Sequence, residues 1–167
     1  MKMAAKPREC GSCQVCCYAL GIRDDKAPSE AWQRCTFQCS KGCSIYADRP
    51  KPCAVYRCMW LLGWGTKRFR PDRLGLLVES PGNNCGIYVK EVKPNALRNK
   101  TAREAFDALK AQDHVFFSGF LAAEPTAFTG TKEDMMRIAD NMLKLPGSLG
   151  DAAREQFKNT QPDGEKP

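Results

Sequence analysis

Beyond Pro71 the apolar positions fall into regular periods, and before it they do not. Residues 74–78 (Leu-Gly-Leu-Leu-Val) and 86–92 (Gly-Ile-Tyr-Val-Lys-Glu-Val) are short β-branched and aliphatic runs. They flank the turn-forming stretch Pro81-Gly82-Asn83-Asn84, a pattern that predicts two strands able to pair as a hairpin. Pro94 and Asn95 then open a predicted helix reaching to about residue 112. Its apolar positions Ala102, Ala105, Phe106 and Leu109 recur at three and four and give one buried stripe. Residues 114–120 predict a third strand. Thr131 and Asp134 form an N-terminal capping pair for a helix over 132–145, stopped by Pro146-Gly147. After Gly150 the pattern allows a short helix before a polar tail.

The first seventy residues carry a different signal. Asp24, Asp25, Lys26 and Pro28 make a polar connector, and Ser29 is placed to cap a short helix over 30–34. Gly42, Pro50 and Pro52 interrupt the rest, so loops and turns are expected there. Nine of the ten cysteines fall between Cys10 and Cys58. Sulfur chemistry therefore replaces apolar periodicity as the organising force. The expected architecture is α+β: a cysteine-rich, loop-dominated metal module at 1–65, an α+β portion over 66–150 sharing its core, and a partly disordered tail at 151–167. Trp60, Trp64 and Phe69 are expected to join the first two parts.

The meaning of that sulfur depends on compartment. The N-terminal segment has no apolar run of the length a secretory signal needs, and Met59-Trp60-Leu61-Leu62 is too short to span a bilayer. The expectation is a cytoplasmic chain in a reducing environment, without membrane insertion, whose cysteines bind metal ions rather than pair as disulfides. The formal net charge of +7 hints at an anionic partner. Thiolates bound to divalent ions would offset much of it, and Arg49, Lys51, Arg57, Lys67, Arg68, Arg70 and Arg73 lie beside the cysteines. Charge compensation is thus preferred over a nucleic-acid surface, although Lys67-Arg68-Phe69-Arg70 could offer phosphate contacts with Phe69 stacking on a base.

The first cysteine group reads Cys10-x-x-Cys13-x-x-Cys16-Cys17. Two intervening residues allow a tight turn to aim both sulfurs at one ion, the spacing used in zinc and iron–sulfur sites. Adjacent side chains diverge, so Cys16 and Cys17 either serve two centres or one of them only packs. The second group supplies Cys35, Cys39, Cys43, Cys53 and Cys58. Together the groups suffice for two four-cysteine sites, with one cysteine to spare and Cys85 as a second. The ferredoxin run is incomplete, because its closing Cys-Pro is missing. His114 is the sole histidine, which excludes Cys2His2 fingers and two-histidine catalytic metal sites. No Ser-His-Asp arrangement is specified, and Gly63-Trp64-Gly65 lacks the rest of a phosphate loop. Catalytic residues are not identifiable, and enzymatic activity is undecided at this level.

The run Cys-x2-Cys-x2-Cys-Cys, followed by Gly42-Cys43-Ser44-Ile45-Tyr46, Arg49-Pro50, Cys53 and Arg57-Cys58, resembles the YkgJ-like family of CxxCxxCC cysteine-cluster proteins, described as zinc- or iron-chelating. The likeness covers residues 10 to 60. It implies metal ligation by Cys10, Cys13, Cys16, Cys17, Cys35, Cys43, Cys53 and Cys58, with zinc as the cofactor, or alternatively iron or a 4Fe-4S cluster. Related clusters in some protein methylases keep an enzymatic role open. Cys39 and Cys85 lie outside the pattern, and Cys85, following Asn83-Asn84 in a turn, is expected to be a stray surface thiol. Arg49, with five donors, is expected to brace the loop around the site, and Tyr46 to pack its ring there.

Overall fold

The computed structural model describes residues 8–122 and 124–145. The expected turn at 146–147 and the tail fall outside them. The chain is α+β. Its centre is a four-stranded sheet of order β3-β4-β5-β6, built from β3 (Leu76–Glu79), β4 (Ile87–Glu91), β5 (Val115–Ser118) and β6 (Ala127–Phe128). A two-stranded ribbon of β1 (Gln38–Cys39) and β2 (Gly42–Cys43) lies in the cysteine-rich part, with the short helices α1 (Cys16–Ala19) and α2 (Lys51–Val55). The one-turn helix α3 (Pro71–Leu74) leads into the sheet, α4 (Lys100–Lys110) crosses over it, and α5 (Lys132–Leu143) closes the described chain.

β3 and β4 form the expected antiparallel hairpin, with Val78 opposite Val89. The turn between them holds Asn83 and Asn84 at positive φ, a conformation asparagine tolerates better than other side chains. β4 then pairs parallel with β5, Ile87 opposite Val115, so α4 is the crossover that a parallel pair requires. Asn99 caps α4 by accepting from the backbone N–H groups of Thr101 and Ala102. The helix therefore starts at Lys100. Pro94 and Asn95 lead only into a single 3-10 turn over Ala96–Arg98.

Pleating gives the sheet two working faces. Leu76, Val78, Ile87, Val89 and Val115 join Ala102, Ala105 and Leu109 of α4 in one core, with Phe106 packed edge-on against Phe117 at 5.4 Å. The opposite face carries Leu77, Tyr88, Phe116 and Phe128. Tyr88 stacks on Phe116 at 4.7 Å, and Phe116 meets Phe128 at 4.5 Å. Tyr88 donates its hydroxyl to the Met142 sulfur on α5, whose capping box of Thr131 and Asp134 is complete.

The cysteine-rich part lies on that second face. Leu77 and Val92 share a cluster with Ala19, Cys58 and Trp60. Trp32 stands edge-on to both Tyr18 and Phe120, at 5.5 Å each, with the Lys90 ammonium over its ring. The backbone N–H of Met59 donates to the Val78 carbonyl, covering the free edge of β3. Trp60, Trp64 and Phe69 sit at this junction, as expected.

Two expectations are corrected. No helix forms over 30–34: Ile22 and Ser29 exchange backbone bonds, and Trp32 adopts φ +68° to place its indole between Tyr18 and Phe120. Cys85 is not a surface turn thiol but is 1% exposed beneath the hairpin turn, donating toward the Asn83 carbonyl.

Candidate metal centre

The first cysteine group is shaped by one tight turn and one helical turn. Gly11 takes φ +52°, and the Cys13 N–H closes onto the Cys10 carbonyl at 2.9 Å, which brings both residues to one side. Cys16 and Cys17 open α1. Neighbours on a helix project about 100° apart, so their side chains leave the backbone in different directions. The Cys35 N–H donates to the Cys17 carbonyl at 3.3 Å and fixes the second group against the first. In the ribbon, Gln38 is opposite Cys43 and Cys39 opposite Gly42, so Cys39 and Cys43 project from opposite faces. Pro52 opens the turn of α2 that carries Cys53, and Cys58 is buried beside Trp60.

These elements surround a cavity of about 350 Å³ whose wall includes Cys10, Cys13, Cys16, Cys17, Cys35, Cys43 and Cys53, with Arg49, Tyr46 and Tyr56. A second, smaller pocket of about 20 Å³ is bordered by Cys10, Cys13, Cys16 and Cys58. All eight signature cysteines therefore border one or both spaces. Cys39 and Cys85 border neither. Among the described residues, no three cysteine, histidine, aspartate or glutamate side chains converge as tightly as a bound ion requires. The thiols stand around the walls, and ligation needs the loops to draw inward. The identity of the donors, not their present placement, is what suits a soft, thiolate-bound metal.

Electrostatics follow from burial. Burial raises the thiols of Cys10, Cys13, Cys53 and Cys58 above their ordinary range, with Arg49 pulling Cys10 and Cys53 partly back. Cys16 donates to Cys17; that bond and burial push Cys16 well up, while the same bond brings Cys17 down to about 7. Arg49 lies 4.0 Å from the Tyr46 ring centroid, Tyr46 itself is 49% exposed, and among the described residues Arg49 donates no hydrogen bond to the loop that it is expected to brace. Tyr56 borders both spaces. Burial raises its phenol well above the usual range, and Glu79, itself raised by burial, lies beside it on the second sheet face.

Two groups near the site carry no spacing signal in the sequence. Arg8 donates to the carbonyls of Trp60, Gly63, Trp64 and Gly65 at 2.7–3.0 Å, and its guanidinium lies 5.1 Å from the Trp60 ring centroid. It ties the chain just before Cys10 to the loop just after Cys58. Gly65 has no side chain there because a Cβ would fall 2.1 Å from the Phe69 ring. The second is Asp72, held by two bonds from Arg70 at 2.6 and 2.7 Å and placed next to Cys13. Within the basic run 67–70, Lys67 and Arg68 are exposed, Arg70 is turned to Asp72, and Phe69 packs on Trp64 at 4.9 Å and is not free to stack on a base. His114 lies near Asp134 and Phe128 and borders neither cysteine-lined space. No helix among the described residues is long and apolar enough to cross a membrane. No protein-family model, curated protein or solved structure matches this chain.

Proposed function

We propose that this protein binds metal through its cysteine cluster, and that four-thiolate zinc sites hold its first sixty residues together. The observation carrying this reading is that all eight signature cysteines, drawn from four separate stretches of chain, border two adjoining spaces, while the two outside the signature do not. Burial makes these thiols poor acids without a cation, and metal binding supplies the missing stabilisation of the thiolates. Arg49 and Arg57, both on the cavity wall, offset negative charge there. A cytoplasmic, reducing setting follows from the same reading, since disulfides would consume the ligands.

A second reading, iron–sulfur chemistry in a redox or protein-modifying role, is favoured by one observation. The sulfur shell of a tetrahedral zinc site encloses only about 50 Å³ at a Zn–S distance of about 2.3 Å. The larger cavity is several times that. The deciding experiment is elemental analysis and absorption spectroscopy of the full chain purified without air. Stoichiometric zinc without a visible band supports the first reading, and iron with matching sulfide supports the second. Protein that carries neither metal and is unchanged by a strong chelator refutes both.

A further inference from the structure

The basic residues that follow the cysteines in sequence divide into two groups in space. Arg49 and Arg57 stand on the wall of the larger cavity, where they offset thiolate charge. Lys67, Arg68 and Arg73 border neither cysteine-lined space, so thiolates there do not account for their charge.

These three belong to a ridge outside the cluster. Lys67 and Arg68 lie in a 3-10 turn, Lys67–Phe69, that packs on α3, and Arg73 is on α3 itself. That helix ends at Gly75, whose carbonyl accepts from the Val92 N–H at 2.8 Å. A Cβ at Gly75 would stand 3.4 Å from the Cβ of Lys93 and 2.8 Å from that of Ala96. The segment carrying Lys93 and Arg98 therefore lies directly against the end of α3. Lys67, Arg68, Arg73, Lys93 and Arg98 are all exposed. Among the described residues, none of these five side chains makes a hydrogen bond or ion pair. The one acid within 67–75 and 93–99 is Asp72, which Arg70 already holds with two bonds.

The chemistry of the ridge narrows its partner. None of the exposed large apolar side chains falls in these segments, so the ridge offers no anchor to enter a bilayer or to fill a pocket on another protein. Its nearest aromatic rings, Trp64 and Phe69, pack on each other against the core, so no ring is presented to an unpaired base. What remains is positive charge alone, whose complement is a stiff, dense row of phosphates. We infer that this ridge binds double-stranded nucleic acid through its phosphate backbone, without reading sequence. Metal content, measured separately by elemental analysis, does not decide the matter.

The test titrates the full chain, reduced and carrying the metal it retains after purification without air, into a fluorescently labelled DNA duplex of arbitrary sequence. Anisotropy should give a Kd of about 1–100 μM at physiological salt, the range of non-specific binders. Five phosphate contacts should lower the affinity about 500-fold between 50 and 200 mM salt. A duplex of different sequence and an RNA duplex should bind alike, and a single strand more weakly. Lys67→Gln, Arg73→Gln and Lys93→Gln should each lower the slope of log affinity against log salt by about one, for every duplex equally. Their urea midpoints should match the parent's, because these side chains bond to nothing in the fold. Lys132→Gln, exposed on α5, should bind as the parent does. Binding that is absent at low salt, binding indifferent to salt, or glutamine variants of the ridge that bind like the parent would overturn the inference. So would tighter binding to polyglutamate, to anionic vesicles or to the single strand than to the duplex.

Discussion

Replacing Arg8 tests whether a single side chain fastens the start of the cysteine cluster to its end. Its guanidinium donates to four carbonyls within six residues, two of them part-buried at 2.9 Å, from Trp60 and Trp64, and two exposed, from Gly63 and Gly65. A hydrogen bond from a charged donor contributes about 1.5–3 kcal/mol when shielded, and an exposed one contributes little. Counting only the shielded pair, and taking the low end because solvent is close, Arg8→Ala should cost about 3 kcal/mol. That is a sizeable part of the 5–15 kcal/mol typical of a domain, where ~3 kcal/mol changes the folded-to-unfolded ratio more than a hundredfold. Arg8→Lys keeps the charge but replaces a planar fork by a compact ammonium that cannot span four carbonyls, so it should recover about half. Urea unfolding of the reduced chain measures both variants as shifts in midpoint at unchanged slope. A loss below about 0.5 kcal/mol for the alanine variant, the range of an ordinary surface substitution, would refute the reasoning. So would a lysine variant as stable as the parent.

Three further outcomes are expected. Leu109 is 0% exposed between α4 and the sheet, so Leu109→Ala should cost about 2–5 kcal/mol in the same urea assay, and a loss under 1 kcal/mol would mean the core collapses around the gap. Cys85→Ser buries a hydroxyl where a thiol is 1% exposed and should cost about 1–3 kcal/mol, against no more than about 1 kcal/mol for Cys39→Ser, which is only half-buried on the ribbon face opposite Cys43; equal effects would contradict the difference in burial. Asp134 is held down to about 2 by backbone and side-chain bonds from Thr131 and by Arg137, so its folded-state value lies below the unfolded one. Its contribution is present above the unfolded value and is lost as pH falls through about 2; urea midpoints of the parent and Asp134→Asn should therefore converge between pH 5 and pH 2, and parallel curves would show that the carboxylate is not the source.

The elements legible in the sequence are those whose cause is local. The hairpin around Asn83-Asn84, the stripe of α4 and the Thr131–Asp134 capping pair each rest on residues within a few positions of one another. The failures have distant causes. Trp32 abandons the expected helix because Phe120 and the Ala122 carbonyl, some ninety residues away, receive its indole. β6 is two residues long and exists only through its pairing with Phe116 and Phe117. The same holds at the cluster. The Cys-x-x-Cys spacings are local and readable, but which thiols meet is not, because Cys16 donates to Cys17 beside it and loop closure brings Cys58 to Cys10 and Cys35 to Cys17. Arg8 carried no signal at all, since its partners are backbone carbonyls, which every sequence possesses.

β3 is an outermost strand of the sheet, and its residues Leu76, Leu77 and Val78 are almost wholly buried. Among the described residues, its unpaired side receives one backbone bond, from Met59 to Val78, and Leu77 is covered by Trp60 and Cys58. An uncovered apolar edge is a template for pairing with another chain. Oxidation or any other loosening of the cysteine-bearing loops therefore threatens more than the loops themselves. It would strip the guard from a sticky strand, and the first visible symptom of a damaged cluster would be precipitation of an otherwise folded sheet.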